Sequence, residues 1–187
     1  MTTASWNLHR PDMNLTKLTL PDTVEVSGAF FKIQTGHTYW FRFMQILKEP
    51  GATTSSFDYI YRGEIPEDRE EAFKALQKFC WEKKEIPRTE GGEDGPRIID
   101  YDIDADLIWS AIMQVYGIDL TEQQVHWHKV RAMLAALPGS RLEEVMGYRC
   151  YKGKDAKLQK LRRQWELPEP QDEKTKEALD KFNQLFN

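Results

Sequence analysis

Apolar residues recur along this chain at two spacings, and the switches between them outline a fold. Val24 and Val26 alternate with Thr23 and Glu25, Ser27-Gly28 supplies a turn, and Ala29-Phe30-Phe31-Lys32-Ile33 reads as a second strand. This is a β-hairpin signal. A lone hairpin is barely stable in water, so it must lean on a neighbour. The next segment offers that support, because Trp40, Phe43, Met44 and Leu47 fall at i, i+3, i+4 and i+7, one helical stripe that Pro50-Gly51 ends. The Ser/Thr-rich stretch from Ala52 to Ser56 reads as loop. Pro66 at a first helical position, followed by Glu67 and Asp68, predicts the start of another helix. Its stripe is Phe73, Leu76, Phe79 and Cys80, and Pro87 stops it. Residues 88–97 are polar and glycine-rich, and they predict a flexible connector rather than a domain boundary.

From Asp100 to Arg149 the pattern is clearest. Leu107, Ile108, Ala111, Ile112 and Val115 form one helical face, and Trp109, Met113 and Tyr116 widen it. A helix apolar over so much of its circumference is expected at the centre of its bundle. Gly117 suits its C-terminal stop. Thr121 with Gln124 reads as a capping box and Leu120 with Val125 as a hydrophobic staple, which together start a helix whose buried stripe is Trp127, Val130, Leu134 and Leu137. Pro138-Gly139 breaks that helix, and Ser140 with Glu143 caps a short successor through Val145 and Met146. Short turns between capped helices predict antiparallel neighbours.

Beyond Arg149 the character changes. Residues 149–163 carry Arg149, Lys152, Lys154, Lys157, Lys160, Arg162 and Arg163 against a single acid, Asp155, while Leu158, Leu161 and Trp165 keep a helical stripe. Pro168-Glu169-Pro170 is a stiff linker, and Leu179, Phe182 and Phe186 mark a terminal amphipathic helix. A sixteen-residue helix is marginal alone in water, so its apolar face is expected to meet a partner or a second copy of the chain. The expected architecture is mainly α: one helical domain over 1–167 with a small N-terminal β-hairpin, then linker and terminal helix over 168–187.

Composition sharpens this picture. The 187 residues include 26 Lys+Arg and 30 Asp+Glu, so the net charge is 26 − 30 = −4. That balance gives no generic attraction to nucleic acid. Aromatics at 12%, six of them Trp, argue against wholesale disorder. A mean hydropathy of −0.66 with 30% charged residues implies a thin core, much helical surface, or apolar faces kept for a partner. The longest uncharged stretch in the aromatic middle of the chain, Leu107 to Ile118, is twelve residues long and too polar to span a bilayer. The first residues lack the basic and apolar regions of a secretory signal, and two cysteines make no disulfide framework. A soluble cytoplasmic protein is expected, with Cys80 and Cys150 as small core residues.

Candidate chemistry is sparse. Asp100-x-Asp102-x-Asp104-x-Asp106 suggests a calcium loop, but the sixth and twelfth positions, where glycine and glutamate are required, hold Ala105 and Ala111. The ordinary account is that Asp102 or Asp104 caps the following helix. His126 and His128 would point about 200° apart on a helix and could not close on one ion. No nucleophile elbow or phosphate-binding loop occurs, so neither catalysis nor a cofactor is expected. The basic segment 149–163, with Tyr148, Tyr151 and Trp165 near it, could meet phosphates and bases. A solvated helix face accounts for it as well.

Three runs carry a resemblance: 102–122, from Asp102-Ile-Asp-Ala-Asp-Leu-Ile-Trp to Tyr116-Gly-Ile-Asp-Leu-Thr-Glu; His126-Trp127-x-x-Val130-x-Ala132-x-Leu134-x-x-Leu137-Pro138; and Val145-Met146-x-Tyr148-Arg149. With the hairpin and aromatic helix before them, they resemble the bacteriophage "Gp fifteen" family of tailed phages and prophages of Gram-positive hosts. The resemblance implies a tail-region protein that works in the host cytoplasm. Its implied role is a tail-assembly chaperone that binds the long helical tape-measure protein until tail-tube subunits polymerise around it. A structural tail or neck component is the alternative, and a nucleic-acid binder using 149–163 is a further one. The resemblance brings no catalytic or metal residues. Tyr148, Arg149, Trp165, Leu179, Phe182 and Phe186 are the residues expected to meet a partner, whether the tape measure, another tail protein or a second copy.

Overall fold

A computed structural model describes residues 19–81 and 97–168, and beyond them only Glu173 and Lys176. The chain is mainly helical with a small N-terminal hairpin. The connector at 88–97, apart from Arg97, lies outside the described residues, as do the linker after Pro168 and the terminal stripe of Leu179, Phe182 and Phe186.

Strands β1 (Thr23–Val26) and β2 (Ala29–Lys32) pair antiparallel, with Val24 opposite Phe31 and Val26 opposite Ala29. Ser27 and Gly28 both take positive φ, 51° and 80°, the geometry that matches the twist of a two-residue hairpin. The Ser27 hydroxyl donates to the Glu71 carboxylate at 2.6 Å, which ties this turn to helix α2 (Arg69–Trp81). The hairpin thus leans on α2, with Val24 and Val26 buried.

Helix α1 (His37–Lys48) buries Trp40, Phe43 and Met44 as the stripe predicts. Of the stretch expected as loop, 52–56, residues 54–56 instead open a 3-10 helix, Thr54–Ile60, because Phe57 and Ile60 have core to fill. Helix α2 begins at Arg69, not at Pro66. Pro66 is buried, and the Asp68 carboxylate takes the capping role by accepting the Glu71 N–H at 2.9 Å.

Helix α3 (Ala105–Tyr116) ends at Gly117, which is left-handed with φ 65°. Helix α4 (Trp127–Leu134) starts later than the capping box implies. Long-range backbone bonds outbid the local signal: His37 N–H donates to Val125 O at 2.8 Å and Trp127 N–H to Thr35 O at 2.7 Å. These hold 125–127 extended beside the start of α1, and His126 becomes the cap. Helix α5 (Arg141–Cys150) is capped by the Ser140 hydroxyl, which accepts the Glu143 N–H, and it runs a turn past Met146. Helix α6 (Ala156–Gln164) is capped by Asp155. Both α4 and α5 pack on α3 more than on each other, and α5 also carries α6.

The core is a column of rings. Phe57 meets Phe43 at 4.8 Å, Phe43 meets Trp40 at 5.5 Å, Trp40 stacks on Phe79 at 4.7 Å, and Phe79 stacks on His128 at 4.3 Å. The last carbonyls of α2 have no partner within their own helix. Helix α4 supplies them: Trp127 Nε1 donates to Cys80 O at 2.9 Å, while His128 Nε2 and Arg131 reach Phe79 O. A cation at a helix C-terminus is also favoured by the helix dipole.

Trp127 is fully buried and serves both packing and this cap. Trp127→Ala is expected to destabilise by roughly 3–5 kcal/mol in a denaturant titration, the range for deleting a core aromatic. Half-buried Trp165→Ala should cost less. Acid should also weaken the fold. Burial lowers the pKa of His37 and His126, and holds that of His128 at about 4 against an ordinary 6.5. The unfolded chain therefore binds more protons below pH 6.5, and stability falls as the pH drops from there towards about 4. The melting temperature of His128→Gln should vary less between pH 7 and pH 5 than that of the parent.

Candidate interaction surface

The four aspartates at 100–106 serve different roles. Asp100 Oδ1 accepts the backbone N–H groups of Asp102 and Ile103 at 2.9 and 3.1 Å, closing the turn before α3. Asp102 pairs with Lys48 at 2.5 Å, and Asp106 is exposed. Asp104 occupies the cap position of α3 without capping it. Its buried carboxylate instead receives both terminal nitrogens of Arg149, at 2.7 and 2.9 Å. The same guanidinium donates to Ile98 O at 2.8 Å and to Trp165 O at 2.7 Å.

His126 and His128 also depart from the helical expectation. With His126 outside α4, the two rings lie 5.2 Å apart rather than on opposite faces. Three of their four ring nitrogens are nonetheless engaged: Nε2 of His126 bonds Pro21 O, that of His128 bonds Phe79 O, and His126 Nδ1 accepts the His128 N–H. His37 is held the same way, accepting Val125 N–H at Nδ1 and donating to Leu120 O through Nε2. Among the described residues no group of three or more His, Cys, Asp or Glu side chains could hold a metal ion. Burial pushes the Cys80 thiol far up, and Cys150 is also raised, so both are protonated near neutral pH. Cys150 is exposed rather than a core residue.

What the surface offers is recognition chemistry. Trp109, Met113 and Tyr116, expected to widen a buried face, point outward from α3 with 39%, 36% and 36% of their surface exposed. They fall at i, i+4 and i+7, so they form one row along the helix. Two of the three are held in place: Trp109 Nε1 donates to Asp119 Oδ1 at 2.9 Å, and the Tyr116 hydroxyl donates to Ala136 O at 2.5 Å. Hydrogen bonds from the Thr121 hydroxyl and then from Trp109 lower the Asp119 pKa. Helix α3 is therefore packed on two sides and open on a third. Its apolar girth reflects an outer surface as well as a core.

The partner residues expected from sequence separate in space. Tyr148 and Trp165 come together around Arg141, whose guanidinium lies 5.8 Å and 5.4 Å from the two ring centres and also pairs with Glu144. Beside them α6 presents Lys157, Lys160, Arg162 and Arg163 to solvent. Arg149 turns the other way and is only 6% exposed, so it is an internal tie and not a contact for a partner. Leu179, Phe182 and Phe186 lie outside the described residues. Sequence reasoning missed the outward row on α3, whose one available signal was its excess apolar width. It also missed Arg141, for which periodicity gives no cue.

Among the described residues no helix is long and apolar enough to cross a membrane. A family model described as "Bacteriophage Gp15 protein" matches residues 18–187. No curated protein and no solved structure matches the chain.

The internal tie can be tested directly. Arg149→Met strands the Asp104 charge in the interior and should cost roughly 3–5 kcal/mol by urea unfolding. Adding Asp104→Leu to that variant should recover much of the loss, since removing both charges removes the stranded one.

Proposed function

The chain belongs to the bacteriophage Gp15 family, and from that premise we propose that it is a tail-assembly chaperone. In this reading it binds the helical tape-measure protein in the host cytoplasm until the tail tube forms, and it acts by binding alone, without catalysis. The observation that carries the reading is the row of Trp109, Met113 and Tyr116 on α3. An amphipathic helix is recognised through apolar anchors at this spacing, laid against a complementary apolar strip. A tape measure exposes long stretches of such helix before the tube encloses it. Covering them prevents aggregation, and a modest surface that binds and lets go suits a factor that must later leave. The aromatic side chains on this face are already fixed by hydrogen bonds, so little rotamer freedom is lost on binding.

Co-expression with the tape-measure protein encoded in the same tail module is expected to yield a complex that co-purifies. Mass spectrometry of purified virions should then find the tape measure without this protein. Its presence in virions at stoichiometric level would establish the alternative, a structural tail or neck component.

A further inference from the structure

The outward row on α3 belongs to a stretch of sequence whose charged side chains are all of one sign. Between residues 98 and 128 the chain contains six acids, Asp100, Asp102, Asp104, Asp106, Asp119 and Glu122, and neither Lys nor Arg. Three of the six are answered internally, Asp100 and Asp102 by Lys48 and Asp104 by Arg149. The other three border the row. Asp106 precedes Trp109 by one helical turn, Asp119 accepts the Trp109 indole N–H, and Glu122 belongs to the turn that Asp119 opens. None of these three forms an ion pair among the described residues. At the far end, Tyr116 meets the carbonyl oxygens of Met133 and Ala136 where α4 terminates, which adds partial negative charge instead of relieving it.

We propose that this face of α3 docks one amphipathic helix with Lys or Arg flanking its apolar seam. The inference rests on the chaperone reading and adds the chemistry of the partner segment. The row sets the register. From Trp109 to Tyr116 the row rises about 10 Å, so the strip takes about two turns of a partner. Apolar residues of that helix cover Met113 and the ring faces of Trp109 and Tyr116, and its cations reach Asp106, Asp119 and Glu122 at the rim. Rim charges of this kind select the partner and its orientation more than they raise affinity. A helix with acidic flanks is refused, because it brings like charge to three carboxylates. The basic surface of α6 is a poor occupant from a second copy, since its exposed positions offer Lys157, Lys160 and Arg163 but no apolar anchor.

The test uses two synthetic helical peptides with identical leucine seams, one flanked by lysine and the other by glutamate, titrated against the full-length protein. The lysine-flanked peptide is expected to bind at least about tenfold tighter at low salt, a difference that shrinks as salt screens the rim. Met113→Lys, an exposed change that should leave the melting temperature unaltered, is expected to abolish binding of that peptide. Asp106→Asn combined with Glu122→Gln should bring the two affinities together. Equal affinity of the two peptides, or undiminished binding to Met113→Lys, would overturn the proposal. So would a dimer of the protein alone that Met113→Lys dissociates, which would give the face to a second copy. Tape-measure co-purification that survives Met113→Lys would sink this surface and leave the chaperone reading intact. Peptide discrimination without any tape-measure complex would uphold the surface and remove the chaperone reading.

Discussion

Burying a guanidinium costs several kcal/mol unless its donors are met, and in this fold one arginine meets that condition by drawing separate parts of the chain together. Arg149 comes from α5, its carboxylate partner stands at the head of α3, and its two carbonyl partners are Ile98 and Trp165. The entry to α3, the axis of α5 and the end of α6 are thereby referred to a single planar group. The two-pronged geometry fixes orientation as well as distance. The outward row depends on the same tie, because the direction in which Trp109 and Met113 face follows from how α3 is seated at Asp104.

A second device joins core packing to backbone satisfaction. Polar tips of aromatic and histidine side chains repeatedly satisfy backbone carbonyls across the fold: Trp40 on Gln34, Tyr59 on Tyr39, Tyr61 on Ala72, Tyr101 on Met44, and Trp127 on Cys80. Each such ring buries apolar area and removes an unmet backbone acceptor at once. This accounts for the aromatic richness of a chain with so hydrophilic an average.

The parts legible in the sequence are those governed by local periodicity and capping. The stripe of α1, the glycine stop of α3, the serine cap of α5 and the buried line from Trp127 to Leu137 all depend on residues within a few positions of one another. What escaped depends on distance. The capping box at Thr121 and Gln124 loses to backbone bonds from Thr35 and His37, and the 3-10 helix forms because Phe57 and Ile60 have a core to fill. Arg149 reads as one more cation in a basic run, since its carboxylate lies 45 residues away. Excess apolar width on α3 looks the same from the sequence whether the extra residues meet a core or solvent. Only the positions of α4 and α5 distinguish the two.

The cap on α2 bears on how the chain emerges during synthesis. Trp127, His128 and Arg131 follow the carbonyls they satisfy by 47, 49 and 52 residues. At ribosomal speeds of about 5–20 residues per second, roughly 3–10 s separate the two ends of these bonds. For that interval Trp40, Phe43 and Phe79 belong to a nascent segment whose lid has not yet been made. A pause in translation before residue 131 would prolong that exposure, and rapid passage through it would favour the soluble product.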